Sequence, residues 1–397
     1  MLSAGGMPPW QIGGMAAPQS VVVVGAGIVG ATAAWQLARR GVHVDLVDSG
    51  ETGSATAAGA GIVQPWRPAA AGSWAAYSDL AGARWPQLAA ELAAESGQDP
   101  SYAAVGGLTV SRDVAGLQAA AAALEQARAD RGWTGLGEVE LLAPGQATEL
   151  FPVLDPGFAA VRTGGVGRVD GRAFRDAALV AAQRAGAVRH PGRAELVADG
   201  RRVRVLVDGQ ELAGDAVVLA AGAWTTELCA PLGLRLGLGP MRGQIVHVEL
   251  PGRETAPWPT VMTLGEEHGH HYALAFPGGR VVVGATREAG AGFDSRVTVA
   301  GQRQVLDAAL TLAPGLAEAT VLETRVGFRP VTPDGYPLLG AVPGLDGLVL
   351  ATGLGANGLT YGPLTGVLAA DLALGGRPPF DLTPFRPDRS ATSRGPR

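Results

Sequence analysis

Three glycines and one acidic residue near the N-terminus have the spacing of a dinucleotide-binding motif. They are Gly25, Gly27 and Gly30, followed by Asp48. In such a motif the first glycine permits a tight turn, the second lets the backbone approach a pyrophosphate, and the third lets a helix pack closely on a strand. The acidic side chain accepts a hydrogen bond from a ribose hydroxyl. The spacing alone does not distinguish a nicotinamide dinucleotide from a flavin dinucleotide.

The flanking sequence predicts the elements that must position these residues. Four consecutive valines at residues 21–24 predict a buried strand, and residues 28–40 predict a helix that ends at Gly41. Residues 42–48 alternate between apolar and polar side chains and predict a second strand, parallel to the first through a right-handed crossover. The glycines then lie at the N-terminus of the helix, where backbone N–H groups point towards an anion.

The rest of the chain alternates between helical and strand-forming segments. Helices are predicted at residues 75–94, 114–131, 171–185 and 362–374, and strands at residues 108–110, 195–198, 203–207, 216–220, 246–250, 272–276, 280–284 and 348–351. Segments 272–276 and 280–284 are joined by Pro277-Gly278-Gly279, which favours antiparallel pairing.

Composition excludes several classes of function. The 397 residues have a net charge of -5, which does not favour a nucleic-acid partner. The chain contains no lysine, which excludes Schiff-base chemistry through that residue. The one cysteine, Cys229, excludes an intramolecular disulfide and a cysteine-based zinc site. Residues 1–20 lack the features of a secretory signal, and no segment is suited to stable membrane insertion, so we expect a cytoplasmic protein.

Residues 53–62 have small side chains, which let the backbone approach a flat ring and a diphosphate. At this point the sequence resembles the D-amino acid oxidase superfamily, and within it glycine oxidase most closely. Further matching segments are Val-Val-Leu-Ala-Ala-Gly-Ala-Trp at 217–224, Met-Arg-Gly-Gln at 241–244, and the closing motifs at 329–340 and 351–358. The resemblance covers about residues 21–375.

The resemblance implies FAD as the cofactor and assigns many residues to its binding. Together with the glycine motif, the expected contacts are Gly25, Gly27, Ile28, Val29, Gly30, Asp48, Ser49, Ala55, Thr56, Ala60, Gly61, Ile62, Ala194, Ala221, Gly222, Trp224, Gly353, Leu354, Gly355, Ala356, Asn357, Gly358, Leu359 and Thr360. Some relatives attach the flavin to a cysteine and activate oxygen with a lysine. Lysine is absent here and Cys229 lies away from the tether position, so we expect non-covalent FAD.

The resemblance also assigns residues to the substrate. Arg329 lies where the family places the arginine that binds the substrate carboxylate, and its planar guanidinium suits two parallel hydrogen bonds. Tyr272 would donate its hydroxyl to the carboxylate, and His270 would line the pocket. The sequence departs from glycine oxidase at Leu354, which replaces a histidine, and at Arg287, which replaces a methionine. The extra arginine either favours an acidic or larger substrate or points to solvent.

The histidines at positions 268, 270 and 271 also raise the question of a metal site. His268 and His270 have the spacing of a ligand pair, but no carboxylate or further histidine at a fixed spacing completes a site. We therefore expect no metal.

These observations predict an α/β fold with a discontinuous FAD-binding domain of the Rossmann type and a second α+β domain built on an antiparallel sheet. The FAD-binding domain is expected at residues 18–83, 146–228 and 322–376, the substrate domain at 84–145 and 229–321, and flexible tails at 1–17 and 377–397. The oligomeric state stays open, with a homo-oligomer as one alternative.

The expected function is oxidation of a small amino acid or amine. A hydride passes from the Cα to flavin N5, the resulting imine is hydrolysed to an oxo acid, and O2 is reduced to H2O2. One alternative is a D-amino acid dehydrogenase that passes electrons to a quinone or a protein. Another is a flavin-binding subunit of a larger complex without catalytic activity.

Overall fold

A computed structural model describes residues 18–265 and 271–389, which contain twenty strands and eight α-helices. Strands β1–β20 are, in chain order, Ser20–Val24, His43–Asp48, Ile62–Val63, Tyr102–Ala104, Gly107–Ser111, Val139–Leu142, Ala159–Thr163, Gly167–Val169, Val188–Pro191, Ala194–Asp199, Arg202–Val207, Gln210–Leu212, Ala216–Leu219, Gly239–Glu249, Thr260–Thr263, Tyr272–Ala275, Arg280–Gly284, Thr320–Val331, Leu338–Ala341 and Leu348–Thr352. Helices α1–α8 are Ile28–Ala38, Gly72–Ser96, Val114–Arg131, Ala147–Leu150, Gly171–Arg184, Thr225–Cys229, Val299–Leu312 and Gly358–Ala373.

The valine-rich strand β1 lies inside a six-stranded sheet with the order β19-β20-β13-β1-β2-β9. Strand β1 pairs in parallel with β2 and β13, and β13 pairs in parallel with β20. Residues of α1, α5 and α8 share one buried core with this sheet, and residues of β10 and β11 share another with it. Helices on one face and a small sheet on the other explain why all four valines of β1 are buried. The predicted βαβ unit and α/β fold are confirmed.

A second sheet has eight strands in the order β18-β14-β17-β16-β15-β5-β7-β6. Every pairing in it is antiparallel except that between β15 and β5. Helices α7 and α3 pack against this sheet through two separate apolar clusters. The predicted antiparallel sheet is therefore present, and its strands come from both sides of the chain segment that forms β13.

The structure differs from the predicted boundaries at several places. The predicted domain boundary between residues 83 and 84 falls inside α2. Strand β7 is expected in the FAD-binding domain, but it pairs with β5 and β6 of the eight-stranded sheet. Helix α8 begins at Gly358 rather than at residue 362, because Leu359, Thr360 and Tyr361 are buried in an additional turn. The exact domain boundaries stay a prediction.

Part of the expected C-terminal tail packs on the core instead. Phe385 is fully buried and lies 5.4 Å from the ring of Tyr77, measured between centroids. Arg389 forms an ion pair with Asp334 at 2.8 Å. The structure therefore differs from a flexible tail over residues 377–389, because an aromatic side chain is buried there. Residues 1–17 and 390–397 lie outside the described part of the chain.

Within residues 18–265 and 271–389, no helix combines the length and the apolar composition needed to cross a bilayer.

Candidate active site

A cavity of about 510 Å³ lies near the carboxyl ends of the parallel strands. Val24, Val47 and Ala351, from β1, β2 and β20, line it together with Ile245 and Gly327 of the eight-stranded sheet. Ligands of open α/β sheets bind at this end of the strands. The cavity therefore lies where the two sheets meet and where a dinucleotide is expected.

The three glycines of the motif have separate positions around this cavity. Gly25 has φ +101°, and a Cβ atom there would lie 2.5 Å from the carbonyl oxygen of Ala220. Gly27 is the N-cap of α1 and lines the cavity. Gly30 does not line it, but a Cβ atom at this position would lie 1.8 Å from the carbonyl oxygen of Gly25. Gly30 therefore permits close packing of α1 against the preceding turn.

Two side chains hold the start of α1 in place. Oγ1 of Thr56 accepts a hydrogen bond from the Ile28 N–H at 3.0 Å. The Asp48 carboxylate accepts one from the Ala26 N–H at 2.6 Å and one from the Gly50 N–H at 2.8 Å. The first turn of α1 contains no acidic residue, so the positive end of its dipole is not neutralised within the helix. This end of the cavity suits an anionic phosphate.

The turn between β20 and α8 forms another wall of the cavity. Gly353 has φ +79°, which permits the sharp turn. The side chains of two predicted contacts are bonded elsewhere: Oδ1 of Asn357 accepts a hydrogen bond from Arg67 at 2.7 Å, and the Thr360 hydroxyl donates to the carbonyl oxygen of Ile62 at 3.0 Å. These two side chains stabilise the turn from outside the cavity.

Most of the predicted cofactor contacts lie around the one cavity. Those that line it are Gly25, Gly27, Ile28, Val29, Asp48, Ser49, Ala55, Thr56, Ala60, Gly61, Ile62, Ala194, Ala221, Gly222, Trp224, Gly353, Leu354, Gly355, Ala356, Gly358 and Leu359. Gly30, Asn357 and Thr360 do not line it.

Arg329 lines the same cavity from β18. Its Nη1 donates hydrogen bonds to the carbonyl oxygens of Thr286 at 3.1 Å and Arg242 at 3.4 Å. No carboxylate forms an ion pair with it in the part of the chain that the structure describes. Burial lowers the pKa of Arg329, but a guanidinium stays protonated in proteins. Arg329 is thus a cation that two carbonyl groups hold in place.

Tyr272 extends from β16 towards the same region. A Cβ atom at Gly284 would lie 2.5 Å from its hydroxyl oxygen, so the absence of a side chain there makes room for the phenol. Burial raises the pKa of Tyr272 to about 12, although Arg329 and Arg287 act in the opposite direction. The phenol therefore stays protonated at neutral pH and can donate a hydrogen bond. His270, the third predicted substrate residue, lies outside the described residues.

A hydrogen-bonded network lies beside Arg329 and is centred on Glu288. This carboxylate accepts hydrogen bonds from Thr286 Oγ1 at 2.6 Å, Gln244 Nε2 at 2.8 Å and Arg242 Nε at 2.9 Å. Burial alone would raise the pKa of Glu288, but these hydrogen bonds hold it below its usual range. The network explains why arginine and glutamine flank Gly243 in the sequence.

Cys229 lies in the core and not on the cavity. Burial raises the pKa of its thiol to about 12. Among residues 18–265 and 271–389, histidine, cysteine and acidic side chains form no group of three or more that could hold a metal ion. His268 and His270 lie outside those residues.

Several residues on the cavity have no motif that marks them in the sequence. Phe328 donates its N–H to the carbonyl oxygen of Gly53 at 2.9 Å, and its ring fills the space that a side chain at Gly53 would need. Arg172, Arg175 and Arg193 also line the cavity. The chain has no lysine, so all its basic residues besides histidine are arginine. Nothing in the sequence spacing distinguishes these three arginines from those that lie outside the cavity.

Comparison with known proteins gives a consistent result. The family described as DAO, FAD dependent oxidoreductase, matches residues 20–372. An uncharacterized oxidoreductase of Bacillus subtilis is 39% identical over 372 residues, which are 93% of this chain and 98% of the relative. The glycine oxidase of Pseudomonas aeruginosa is 35% identical over 378 residues, with 93% and 98% covered. The structure of iminodiacetate oxidase from Chelativorans sp. BNC1 superposes with a TM-score of 0.87 at 40% identity, covering 92% of this chain and 98% of that one.

Proposed function

The chain belongs to the DAO family of FAD-dependent oxidoreductases, and we propose that it oxidises a small amino acid or carboxylated amine at its CH–N bond, with O2 as the electron acceptor. When bound, FAD supplies the two-electron acceptor for this oxidation. The protein must bind the dinucleotide, bind the substrate carboxylate, and fix the reacting carbon.

The described residues fit FAD. The N-terminus of α1, at Gly27 and Ile28, would hold the pyrophosphate, and Asp48 would accept a ribose hydroxyl, as in other dinucleotide sites. The glycine-rich turn at Gly353 and the small residues around Gly61 would lie close to the flavin ring. Because Cys229 is buried away from the cavity, we propose that the FAD is held without a covalent bond. Acid precipitation of the protein should then release the yellow chromophore into the supernatant.

The observation that carries the proposal is that Arg329 and Tyr272 line the cavity that also contains the phosphate-binding glycines. Two backbone carbonyl groups orient the Arg329 guanidinium, whose remaining N–H groups suit a carboxylate. The Tyr272 hydroxyl would donate a further hydrogen bond. A carboxylate bound at two sides cannot rotate freely, so its Cα–H bond is held in one direction.

The charge around Arg329 also acts on the substrate amine. Positive groups nearby disfavour a second positive charge, so an amine bound beside this arginine loses its proton more readily than in water. A neutral amine has the lone pair that forms the C=N bond as the Cα–H bond breaks. No side-chain base is then required, and water hydrolyses the imine after oxidation.

The relatives support the same kind of substrate. The Pseudomonas protein is a glycine oxidase and the Chelativorans protein is an iminodiacetate oxidase. Glycine and iminodiacetate both carry a carboxylate next to a CH–N bond. We propose a substrate of this type for the present chain.

Anaerobic mixing of the purified holoenzyme with glycine, sarcosine, D-alanine and iminodiacetate tests the proposal. At least one of these amines should bleach the flavin absorbance. Arg329→Met should raise the substrate concentration needed for bleaching by roughly a hundredfold with the FAD content unchanged. Arg253→Met is a matched control, because Arg253 is exposed and does not line the cavity. Equal bleaching by wild type and Arg329→Met would contradict the role of Arg329.

Admission of air to the bleached enzyme separates the proposed oxidase from a dehydrogenase. Rapid return of the flavin absorbance with stoichiometric H2O2 supports the oxidase. A reduced flavin that persists in air but is reoxidised by a quinone identifies the dehydrogenase. FAD that no amine bleaches would favour a flavin-binding subunit without catalytic activity.

A further inference from the structure

Arg287 is a second arginine on the cavity that contains Arg329 and Tyr272. It follows β17 and is exposed, and its guanidinium has neither an ion pair nor a hydrogen bond to any residue of the described ranges 18–265 and 271–389. The proposed binding of a substrate carboxylate by Arg329 leaves this second positive charge unused. A cation at the edge of a binding cavity attracts an anionic group of the ligand.

The acidic residues that follow Arg287 in sequence do not neutralise it. Glu288 is held by Arg242, Gln244 and Thr286. Asp294 pairs with Arg242 at 2.8 Å. Arg242 therefore binds both acids of this segment away from Arg287.

The acidic residues on the wall of the cavity are also bonded elsewhere or lie on other segments. Asp48 accepts hydrogen bonds from the N–H groups of Ala26, just before α1, and of Gly50, and Glu227 pairs with Arg193 at 3.4 Å. Glu51 also lines the cavity, three residues after Asp48. These residues belong to the segments proposed to hold the dinucleotide.

Arg329 and Arg287, neither of which forms an ion pair within residues 18–265 and 271–389, line the same cavity as Tyr272 and influence the same groups. Both favour ionisation of the Tyr272 phenol against the effect of burial, and Arg287 lowers the pKa of Arg329. One substrate carboxylate neutralises only one of the two guanidinium groups. A ligand with two carboxylates would neutralise both.

We propose that Arg287 binds a second carboxylate, so that the preferred substrate is a small dicarboxylic amine with one carboxylate on Arg329 and the other on Arg287. This inference rests on the proposed function. In the reaction the amine would lose two electrons and two protons from its C–H and N–H bonds, and O2, with bound FAD as the electron carrier, would take up both electrons and both protons to give H2O2. Water then adds to the C=N bond and the C–N bond breaks, which yields an oxo acid and the remaining amine.

Two ethers test the second carboxylate site directly. They contain no CH–N bond, so the proposed reaction cannot oxidise them. Oxydiacetate carries two carboxylates, and methoxyacetate is its counterpart with one. Each is titrated into the oxidised holoenzyme, and the dissociation constant is measured from the change in the visible flavin spectrum. The wild type should bind oxydiacetate roughly tenfold to a hundredfold more tightly than methoxyacetate, as expected for one additional charge-assisted contact.

Arg287→Met should reduce the ratio of the two dissociation constants by about tenfold or more, whereas Arg253→Met should keep the wild-type ratio. The second variant removes the same charge from an exposed position outside the cavity, so it controls for the effect of net charge. The FAD content of both variants, measured from the flavin absorbance, verifies that the cofactor site is intact.

Equal binding of the two ethers by the wild type, or an unchanged ratio in Arg287→Met, would overturn the role of Arg287. Bleaching by glycine or sarcosine would still support the proposed function in that case. Conversely, if no amine bleaches the flavin while oxydiacetate binds through Arg287, the proposed oxidation fails and the second carboxylate site stands.

Discussion

A Cβ atom at Gly243 would lie 2.2 Å from Nη1 of Arg329 and 2.5 Å from its Nη2. The guanidinium therefore occupies the space that any other residue at position 243 would need. Gly243 lies on β14, opposite Gly327 of β18, so the arginine crosses the neighbouring strand to reach the cavity.

Gly243→Ala should weaken carboxylate binding by about tenfold or more, because the added methyl group displaces the Arg329 guanidinium. The measurement is the dissociation constant of methoxyacetate from the flavin spectrum. Gly239→Ala is the matched control, since a Cβ atom at that position of the same strand meets nothing within 4 Å. Similar dissociation constants in the two variants would show that the position of Arg329 does not matter for binding.

Tyr272→Phe should weaken binding of the same ligand by about tenfold, the usual contribution of a hydrogen bond to a charged group. Because the pKa of Tyr272 is raised to about 12, the phenol stays a donor at neutral and moderately alkaline pH. The difference between wild type and variant should thus be constant up to about pH 10, the ordinary value for tyrosine, and should shrink as the pH approaches 12. A difference that disappears near neutral pH would be inconsistent with this donor.

Gly30→Ala should lower the FAD content, although Gly30 does not line the cavity. The added methyl group would collide with the carbonyl oxygen of Gly25 and move the start of α1 away from the turn. The ratio of flavin to protein absorbance after purification measures this effect, and Gly239→Ala again serves as the control. Retention of a full complement of FAD would mean that the turn tolerates the shift.

His247→Leu should make the protein less sensitive to acid. His247 is buried, its ring nitrogens have no hydrogen-bond partner in the described residues, and burial together with Arg325 and Arg280 lowers its pKa to about 4. The unfolded chain binds a proton near pH 6.5, so the folded protein loses stability as the pH falls from about 6.5 to about 4. The shift corresponds to roughly 3 kcal/mol in the free energy of unfolding.

Urea unfolding at about pH 7 and about pH 4.5 checks this expectation. The loss of unfolding free energy between the two pH values should be smaller in His247→Leu than in the wild type. His43→Leu, at an exposed position on β2, controls for the removal of a histidine. An equal loss in both variants would assign the acid sensitivity to other groups.

The start of the FAD site could be predicted from the sequence because its determinants are local. The valine-rich strand, the glycine spacing and Asp48 lie within thirty residues, and each follows from backbone geometry. The structure also places Arg329 and Tyr272 on one cavity, as expected from the resemblance. Their binding roles stay predictions.

Contacts between distant segments could not be predicted in the same way. The ring of Phe328 fills the space beside Gly53, and Arg242 of β14 binds Glu288 in the segment that follows β17, but no local pattern joins these residues. The burial of Phe385 was missed for a different reason. Its segment is rich in proline and arginine, which favours a tail, and the apolar surface around Tyr77 that binds its ring comes from another part of the chain.

The position of β1 within its sheet has a consequence for the synthesis of the protein. The partner of β1 on one edge, β2, is made within thirty residues of it, but the other edge of β1 pairs with Ala216–Leu219, which is made almost two hundred residues later. Until β13 is made, the nascent chain thus carries an unpaired, valine-rich strand edge on β1. At that point much of the eight-stranded sheet has also still to be made. An unpaired strand edge favours aggregation, and pairing between distant segments delays folding. The last residue that lines the cavity is Leu359, so FAD meets a complete binding site only after β20 and the start of α8 have been made.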